Sequence, residues 1–310
     1  MMRTTTTLLL AIVLLASCNQ YKKTPTGLAY KITKGDGKVK LKQGDFVKFN
    51  IEFKIAPKDS VLSSSYGKIP AYMVIDTSRS PKHSFLEVIT QLSAGDKMEF
   101  VMNVDTLKKM GMLEYNNMFH ARDMIKGRLE ILKTFANQAD VIADRTKEIE
   151  QEKTKELKAV NDFVAKKGIK TQATRSGALV EIQTAGDMTQ KADSGKMAKV
   201  MYKGMILETG KEFDSNMGTP GKAPLMVSVG VGGTQNSVIQ GLDEALQMFG
   251  KGGKGKVYIP AMLGYGDAGS PPVIPTYANL QFEFEVLDVT LPAPSAPAPA
   301  MPNAPQPKKK

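Results

Sequence analysis

Apolar and polar residues alternate at period two over residues 28–32, 45–55 (DFVKFNIEFKI), 97–104 and 127–132, the pattern of half-buried strands. Between them, residues 84–92 (SFLEVITQL) space their apolar positions as a helix does, before a turn at Ala94, Gly95 and Asp96. Residues 135–167 contain no Gly or Pro. Phe135, Ile142, Ile149 and Phe163 there fall on a seven-residue spacing that Glu156 interrupts. Glu150 with Lys153 and Glu152 with Lys155 add spaced charge pairs, and Gly168 is a natural stop. The segment predicts a long helix connecting two domains; a homodimeric coiled-coil seam is the other reading of the same spacing. The strand pattern resumes after Thr171 and runs to about Leu291. Within it, residues 237–248 carry Val238, Ile239, Leu242, Ala245 and Leu246 at helical spacing, and Leu280, Phe282, Phe284 and Val286 alternate inward as in a central strand.

The first residues, MMRTTTTLLLAIVLLASC, place Arg3 before an unbroken apolar run from Leu8 to Leu15, too short to span a bilayer. The Leu-Ala-Ser-Cys run ending at Cys18 resembles the bacterial lipobox. That resemblance implies cleavage before Cys18, lipidation of Cys18, and a polar tether over residues 18–26. A soluble protein's signal peptide cut near Ser17 is the alternative. Several acyl chains give stable membrane anchoring where one is marginal. Everything after Cys18 then works outside the cytoplasm, at the cell envelope, facing the periplasm. Asn19, rather than Asp, after Cys18 points to the outer membrane. Residues 292–310 are Pro/Ala-rich and end in three lysines: an extended spacer whose basic end either touches anionic envelope polymers or is simply solvated.

Composition narrows the chemistry. Cys18 is the single Cys among 310 residues, and His83 and His120 are the two His, so neither a disulfide nor a Cys/His metal site is expected, and little remains for a nucleophilic triad. The Gly-rich stretch 250–256 nearly spells a phosphate-binding loop, but Val257 stands where a Ser or Thr should hold magnesium, and it joins helix to strand, the reverse of the required order. It reads as a basic loop. No metal, cofactor or nucleic acid is expected. The net charge of +11 has no evident use at this level.

Four blocks in order carry a specific resemblance: VMYKGMILETGKEFDSN (200–216), VIQGLDEALQMF (238–249), YIPAMLGYGDAG (258–269) and VIPTYANLQFEFEVLDV (273–289). Together they resemble the FKBP-type peptidyl-prolyl cis-trans isomerases, whose fold is an antiparallel sheet curled around one short helix. The resemblance implies a site in which Tyr202, Phe213, Asp214, Ile239, Tyr265 and Phe282 act on the X-Pro bond, with Leu225, Val238, Leu242, Val273 and Ile274 binding the substrate. The Ile239 N–H and the Tyr265 hydroxyl would fix peptide carbonyls, and Asp214 would polarise the site; as an isolated residue Asp214 also reads as a turn former before Ser215. Three positions depart from the family pattern. Leu242 replaces the usual Trp floor, Leu225 a Phe wall, and Thr276 a second Pro, leaving a shallower, less aromatic bowl. The implied partners are X-Pro segments of unfolded or exported proteins.

The first half repeats the element order faintly, in residues 44–50, 85–92, 95–97 and 127–133, but lacks the Ile-Pro…Tyr-Gly block. The expected architecture is α+β: two FKBP-like domains, each a curved antiparallel sheet on a short helix. They would run over residues 27–134, without catalysis, and 171–291, the isomerase, joined by a helix within 135–170. A non-catalytic chaperone or binding lipoprotein is the competing reading of the whole chain.

Overall fold

The computed structural model describes residues 20–78, 81–218, 221–235 and 237–292, so residues 1–18 with the leader and Cys18, and the basic tail, lie outside the described residues. The chain divides after Glu148 into two compact units. Unit 1 holds β1 (Lys22–Lys23), β2 (Ala29–Thr33), β3 (Phe46–Ala56), β4 (Ser60–Ser64), β5 (Ala71–Val74), β6 (Lys97–Asn103), α1 (Val104–Lys109) and β7 (Met124–Phe135). After α2 (Gln138–Lys166), unit 2 holds β8 (Gln172–Ala173), β9 (Leu179–Thr184), β10 (Asp187–Lys191), β11 (Met197–Ile206), β12 (Glu212–Ser215) and β13 (Leu225–Ser228). It ends with α3 (Gln240–Leu246), β14 (Gly250–Lys251), β15 (Lys254–Ile259) and β16 (Leu280–Thr290).

The two main sheets have one topology. Unit 1 orders its strands β1-β2-β6-β7-β3-β4 with β5 on β3; unit 2 orders them β8-β9-β15-β16-β11-β12 with β13 on β11. The likeness extends to register. The β3–β7 pairing skips a residue between Lys48 and Phe49, and the β11–β16 pairing skips one between Lys199 and Val200. A bulge bends a strand and raises its twist, so matched bulges give matched curvature. Each sheet closes its own core. In unit 2, Val200, Leu246, Ile259, Leu280 and Val286 are fully buried around the Phe249–Phe284 pair, whose rings meet edge-on at 5.0 Å. In unit 1 the corresponding core is built on Val47, Leu92, Met98, Phe100, Leu129 and Ile131. Both units are thus α+β sheets of one design.

Three expectations from periodicity are corrected. Residues 84–92 form not a helix but two short 3-10 turns, Phe85–Glu87 and Ile89–Gln91, because consecutive β-branched residues Val88, Ile89 and Thr90 crowd a continuing α-turn. In unit 2 the helix is confined to α3, since Ile239 is extended and Gln247 turns out of it. In α2 the buried row is Glu152, Glu156, Val160 and Val164, four residues apart, whereas Ile142 of the seven-residue row is 59% exposed. Val160 and Val164 pack with Leu179, Leu207 and Tyr258, and Phe163 lies 5.9 Å from the Tyr258 ring. Glu156 is the reason the apolar seam is broken: its Oε2 accepts the Met262 N–H at 2.8 Å and is buried there.

At the other end of α2, Asp144 and Glu148 each accept from Lys48 Nζ at 2.7 Å, and the Tyr72 hydroxyl donates to Asp144 at 2.7 Å. His83 is buried in unit 1. Its Nδ1 lies 3.0 Å from the Thr26 carbonyl and its Nε2 accepts the Asn103 N–H at 3.2 Å, so both ring nitrogens serve the fold.

Candidate active site

A hollow of about 210 Å³ opens on the concave face of the unit 2 sheet. It collects residues far apart in the chain: Tyr202 from β11, Phe213 and Asp214 from β12, Leu225 from β13, Val238 and Ile239 before α3, Leu242 on it, Tyr265 after the Ala261–Leu263 turn, and Phe282 from β16. Nine of the eleven expected site residues therefore line one hollow. The other two do not. Ile274 is 4% exposed and belongs to the core, exchanging backbone hydrogen bonds with Ser270 at 2.9 Å, and Val273 beside it is left at the surface. The loop folds Ile274 beneath the site instead of into it. Ser237 also lines the hollow, and nothing in the sequence marked it beyond its neighbour Val238; its hydroxyl donates to the Thr234 carbonyl at 2.7 Å.

The aromatic wall depends on one glycine. Gly204 pairs across the sheet with Phe282. A Cβ at Gly204 would stand 2.5 Å from Phe213 Cζ, closer than real side chains approach, and 3.0 Å from Phe282 Cε1, a tight contact. With no Cβ there, the Phe213 and Phe282 rings meet edge-on at 5.6 Å, and Tyr202 lies 6.1 Å from Phe282. The floor is Leu242, 3% exposed, on an α3 otherwise almost wholly buried.

The polar groups are sparse and arranged in order. The Tyr202 hydroxyl donates to Asp214 Oδ2, and the Tyr202 N–H donates to Asn216 Oδ1 at 2.6 Å. Lys222 Nζ stands 3.8 Å from Asp214 Oδ1. Burial, then the Asp214 carboxylate, push the Tyr202 phenol well above its ordinary value; burial and the same charge raise Tyr265. Both phenols are therefore neutral donors across the physiological range. Among the described residues neither the Ile239 N–H nor the Tyr265 hydroxyl has a hydrogen-bond partner, so both are available to a bound carbonyl. No group of three or more His, Cys, Asp or Glu stands close enough to hold a metal ion among the described residues.

The floor is pinned from behind by Glu244 on α3, which accepts from the Ser176 N–H at 2.9 Å, the Ser176 hydroxyl at 2.7 Å and Gln240 Nε2 at 2.9 Å. Burial opposes its charge, but these donors hold the carboxyl down to about 2. Because the folded value lies below the unfolded one, the stabilisation is complete above about pH 5 and fades as pH falls toward 2. Glu244→Gln is expected to lower stability by on the order of 3 kcal/mol at neutral pH, with the gap closing near pH 2. Urea midpoints across that range measure it.

The sequence profile of the FKBP-type peptidyl-prolyl cis-trans isomerase family matches residues 188–287, within unit 2. The FK506-binding protein of Neisseria meningitidis serogroup A is 42% identical over 100 residues, 32% of this chain and 85% of that protein. The peptidyl-prolyl cis-trans isomerase FKBP2 of Homo sapiens is 41% identical over 99 residues, 32% of this chain and 65% of that protein. The FKBP-type peptidyl-prolyl cis-trans isomerase FkpA of Escherichia coli K12 is 40% identical over 136 residues, 44% of this chain and 45% of that protein. The chain spans only part of the last two relatives. With a matching profile, a curved sheet around α3 and an aromatic hollow at its centre, this chain belongs to the FKBP-type peptidyl-prolyl cis-trans isomerase family.

Proposed function

We propose that unit 2 catalyses cis-trans isomerisation of X-Pro bonds in unfolded or exported polypeptides, without cofactor or covalent intermediate. The observation that carries this reading is the pairing of an aromatic hollow with two donors that have no partner among the described residues. Rotation about a peptide bond costs about 18–20 kcal/mol because the planar amide is resonance-stabilised, and uncatalysed X-Pro bonds turn over in tens to hundreds of seconds. The twisted transition state has lost that resonance and carries less charge separation, so an apolar enclosure disfavours the ground state relative to it. In this reading Tyr202, Phe213 and Phe282 enclose the Pro ring over Leu242, with Val238 and Leu225 at its sides. The Ile239 N–H and Tyr265 hydroxyl hold the flanking carbonyls, and the Asp214 carboxylate, oriented by Tyr202, faces the rotating one. The test is a proline-limited refolding assay with the full chain. Tyr265→Phe removes one hydrogen bond, and kcat/KM is expected to fall about five- to tenfold with the fold intact. An unchanged rate would remove Tyr265 from the mechanism.

Unit 1 has the same sheet but not the same hollow, and in our reading it does not catalyse. Ile51, Leu62 and Ser63 stand at the registers of Tyr202, Phe213 and Asp214. Phe53 pairs with Gly127 where Gly204 pairs with Phe282, so the aromatic and the glycine have changed strands. The Phe100 ring fills the space over Gly127, where a Cβ would lie 2.0 Å from Phe100 Cζ, and it packs against Phe53 at 5.8 Å and Phe85 at 5.7 Å. A client-holding role for this unit is favoured by one observation: the segment joining α1 to β7 exposes Met110, Met112, Tyr115 and Met118. Flexible thioethers suit varied apolar partners.

The envelope setting rests on residues 1–18, outside the described residues: the apolar run and Cys18 support a lipid anchor, a periplasm-facing position and the outer membrane. Among the described residues no helix is long and apolar enough to cross a membrane. Labelling of Cys18 by a radioactive fatty acid, lost in Cys18→Ser, tests the anchor.

A further inference from the structure

Unit 1 carries a cavity of its own. It has a volume of about 450 Å³, within the range of small-molecule sites. Four separate stretches of chain build it: Gln20 and Lys22 at the start of β1, Tyr30, Lys31, Ile32 and Lys34 along and just after β2, Lys40, and Gln91, the last two brought together where Lys40 bridges to Ser93. Four of its eight lining residues are lysines and none is acidic.

The lysines differ in their engagement. Lys34 is committed: its Nζ donates to Asp96 at 2.6 Å and to the Gln91 carbonyl at 3.0 Å, which fixes one wall. Lys22, Lys31 and Lys40 make no ion pair among the described residues. Lys22, Lys31 and Lys40 thus bring positive charge to one concavity with no carboxylate in its lining, an arrangement that an anion would complement. Tyr30 forms the apolar back, 7% exposed, with its hydroxyl 3.4 Å from Gln91 Oε1. The surrounding sequence repeats the bias: residues 20–44 contain seven lysines against Asp36 alone, a balance of +6 out of the +11 of the whole chain.

We propose that this cavity binds an anion bearing a phosphate group. Lysine ammonium groups act as rotatable point charges that suit phosphate oxygens, and the greater charge of a phosphate engages several of them at once where a single carboxylate engages fewer. A cavity of this size takes a phosphate together with a small polar group, and Gln20 and Gln91 supply neutral hydrogen bonds for that group. The phosphate comes either from a lipid headgroup or from a soluble phosphorylated compound. The chemistry is the same, and the experiment separates the sources.

The test uses the full chain beside the triple variant Lys22→Gln/Lys31→Gln/Lys40→Gln and the conservative triple variant with Arg at the same positions. Two probes are titrated at low salt: inorganic pyrophosphate, and vesicles of phosphatidylcholine with or without phosphatidylglycerol. Each lysine near an anionic surface is worth about fivefold, so loss of three is expected to weaken binding on the order of 100-fold, with the Arg variant near wild type. Preferential loss on phosphatidylglycerol vesicles assigns a lipid headgroup; loss on pyrophosphate with vesicle binding unchanged assigns a soluble phosphate compound. Unchanged melting of the Gln variant, and unchanged isomerase turnover in unit 2, show that the site and not the fold was altered. Equal affinity of wild type and Gln variant for both probes overturns the proposal.

Discussion

Gly204→Phe is expected to lower kcat/KM for X-Pro isomerisation about 100-fold or more, to near the uncatalysed rate. The reasoning is steric. A single Cβ at this position already meets the Phe213 ring at 2.5 Å, and a full ring takes the space the Pro side chain needs. Unit 1 carries Phe53 at the same register, but there it faces Gly127, whereas a ring at position 204 faces Phe282 and must displace Phe213 as well. Overpacking costs about 1–3 kcal/mol even for added methylenes, so the variant's melting curve is read beside its turnover. Gly204→Ala separates the two effects: Phe213 must swing aside, so a roughly tenfold loss of kcat/KM is expected with a melting temperature close to wild type. Wild-type turnover in Gly204→Phe would mean that catalysis does not occur in this hollow.

The second large effect is on stability. Phe249→Ala is expected to destabilise unit 2 by about 3–5 kcal/mol, the usual cost of emptying a fully buried aromatic position. Phe249 is completely buried, packs edge-on against Phe284, and closes α3 onto the sheet. Because α3 carries Leu242 and follows Ile239, activity falls with it. Native-state hydrogen exchange measures this directly. Amides of α3, β15 and β16 should exchange faster, while those around Leu129 and Ile131, in the separate core of unit 1, should keep their protection. Uniform acceleration through both units would contradict the division into two cores.

The lining of the candidate site was largely legible in the sequence because its walls are short blocks of consecutive residues: Phe213 with Asp214, Val238 with Ile239, and Tyr265 within a Gly-rich turn. Local sequence does not resolve what three-dimensional registration decides. Ile274 follows the family pattern in type, yet the loop turns it into the core, and no local periodicity distinguishes a pocket-facing Ile from a buried one. The exchange of aromatic and glycine between Phe53–Gly127 and Gly204–Phe282 is invisible until the strands are paired. Glu156 was misleading for a related reason. A carboxylate on an apolar row looks like a break, whereas here it satisfies the Met262 N–H. The excess of positive charge acquired a location only when β2, Lys40 and Gln91 came together around one cavity.

In our reading, fold likeness within the chain does not carry activity with it. Two sheets of identical strand order differ in what fills their concave faces: three phenylalanine rings in one, an open aromatic hollow in the other. Function is therefore a property of side chains at particular registers, not of the topology they share.

The central claim, that the unit 2 hollow isomerises X-Pro bonds, is tested most directly by turnover of a short X-Pro peptide by the full chain and by Gly204→Phe. The predicted result is acceleration proportional to the concentration of the wild-type chain and a rate near background for the variant. Background rates with both, from well-folded protein, would contradict it.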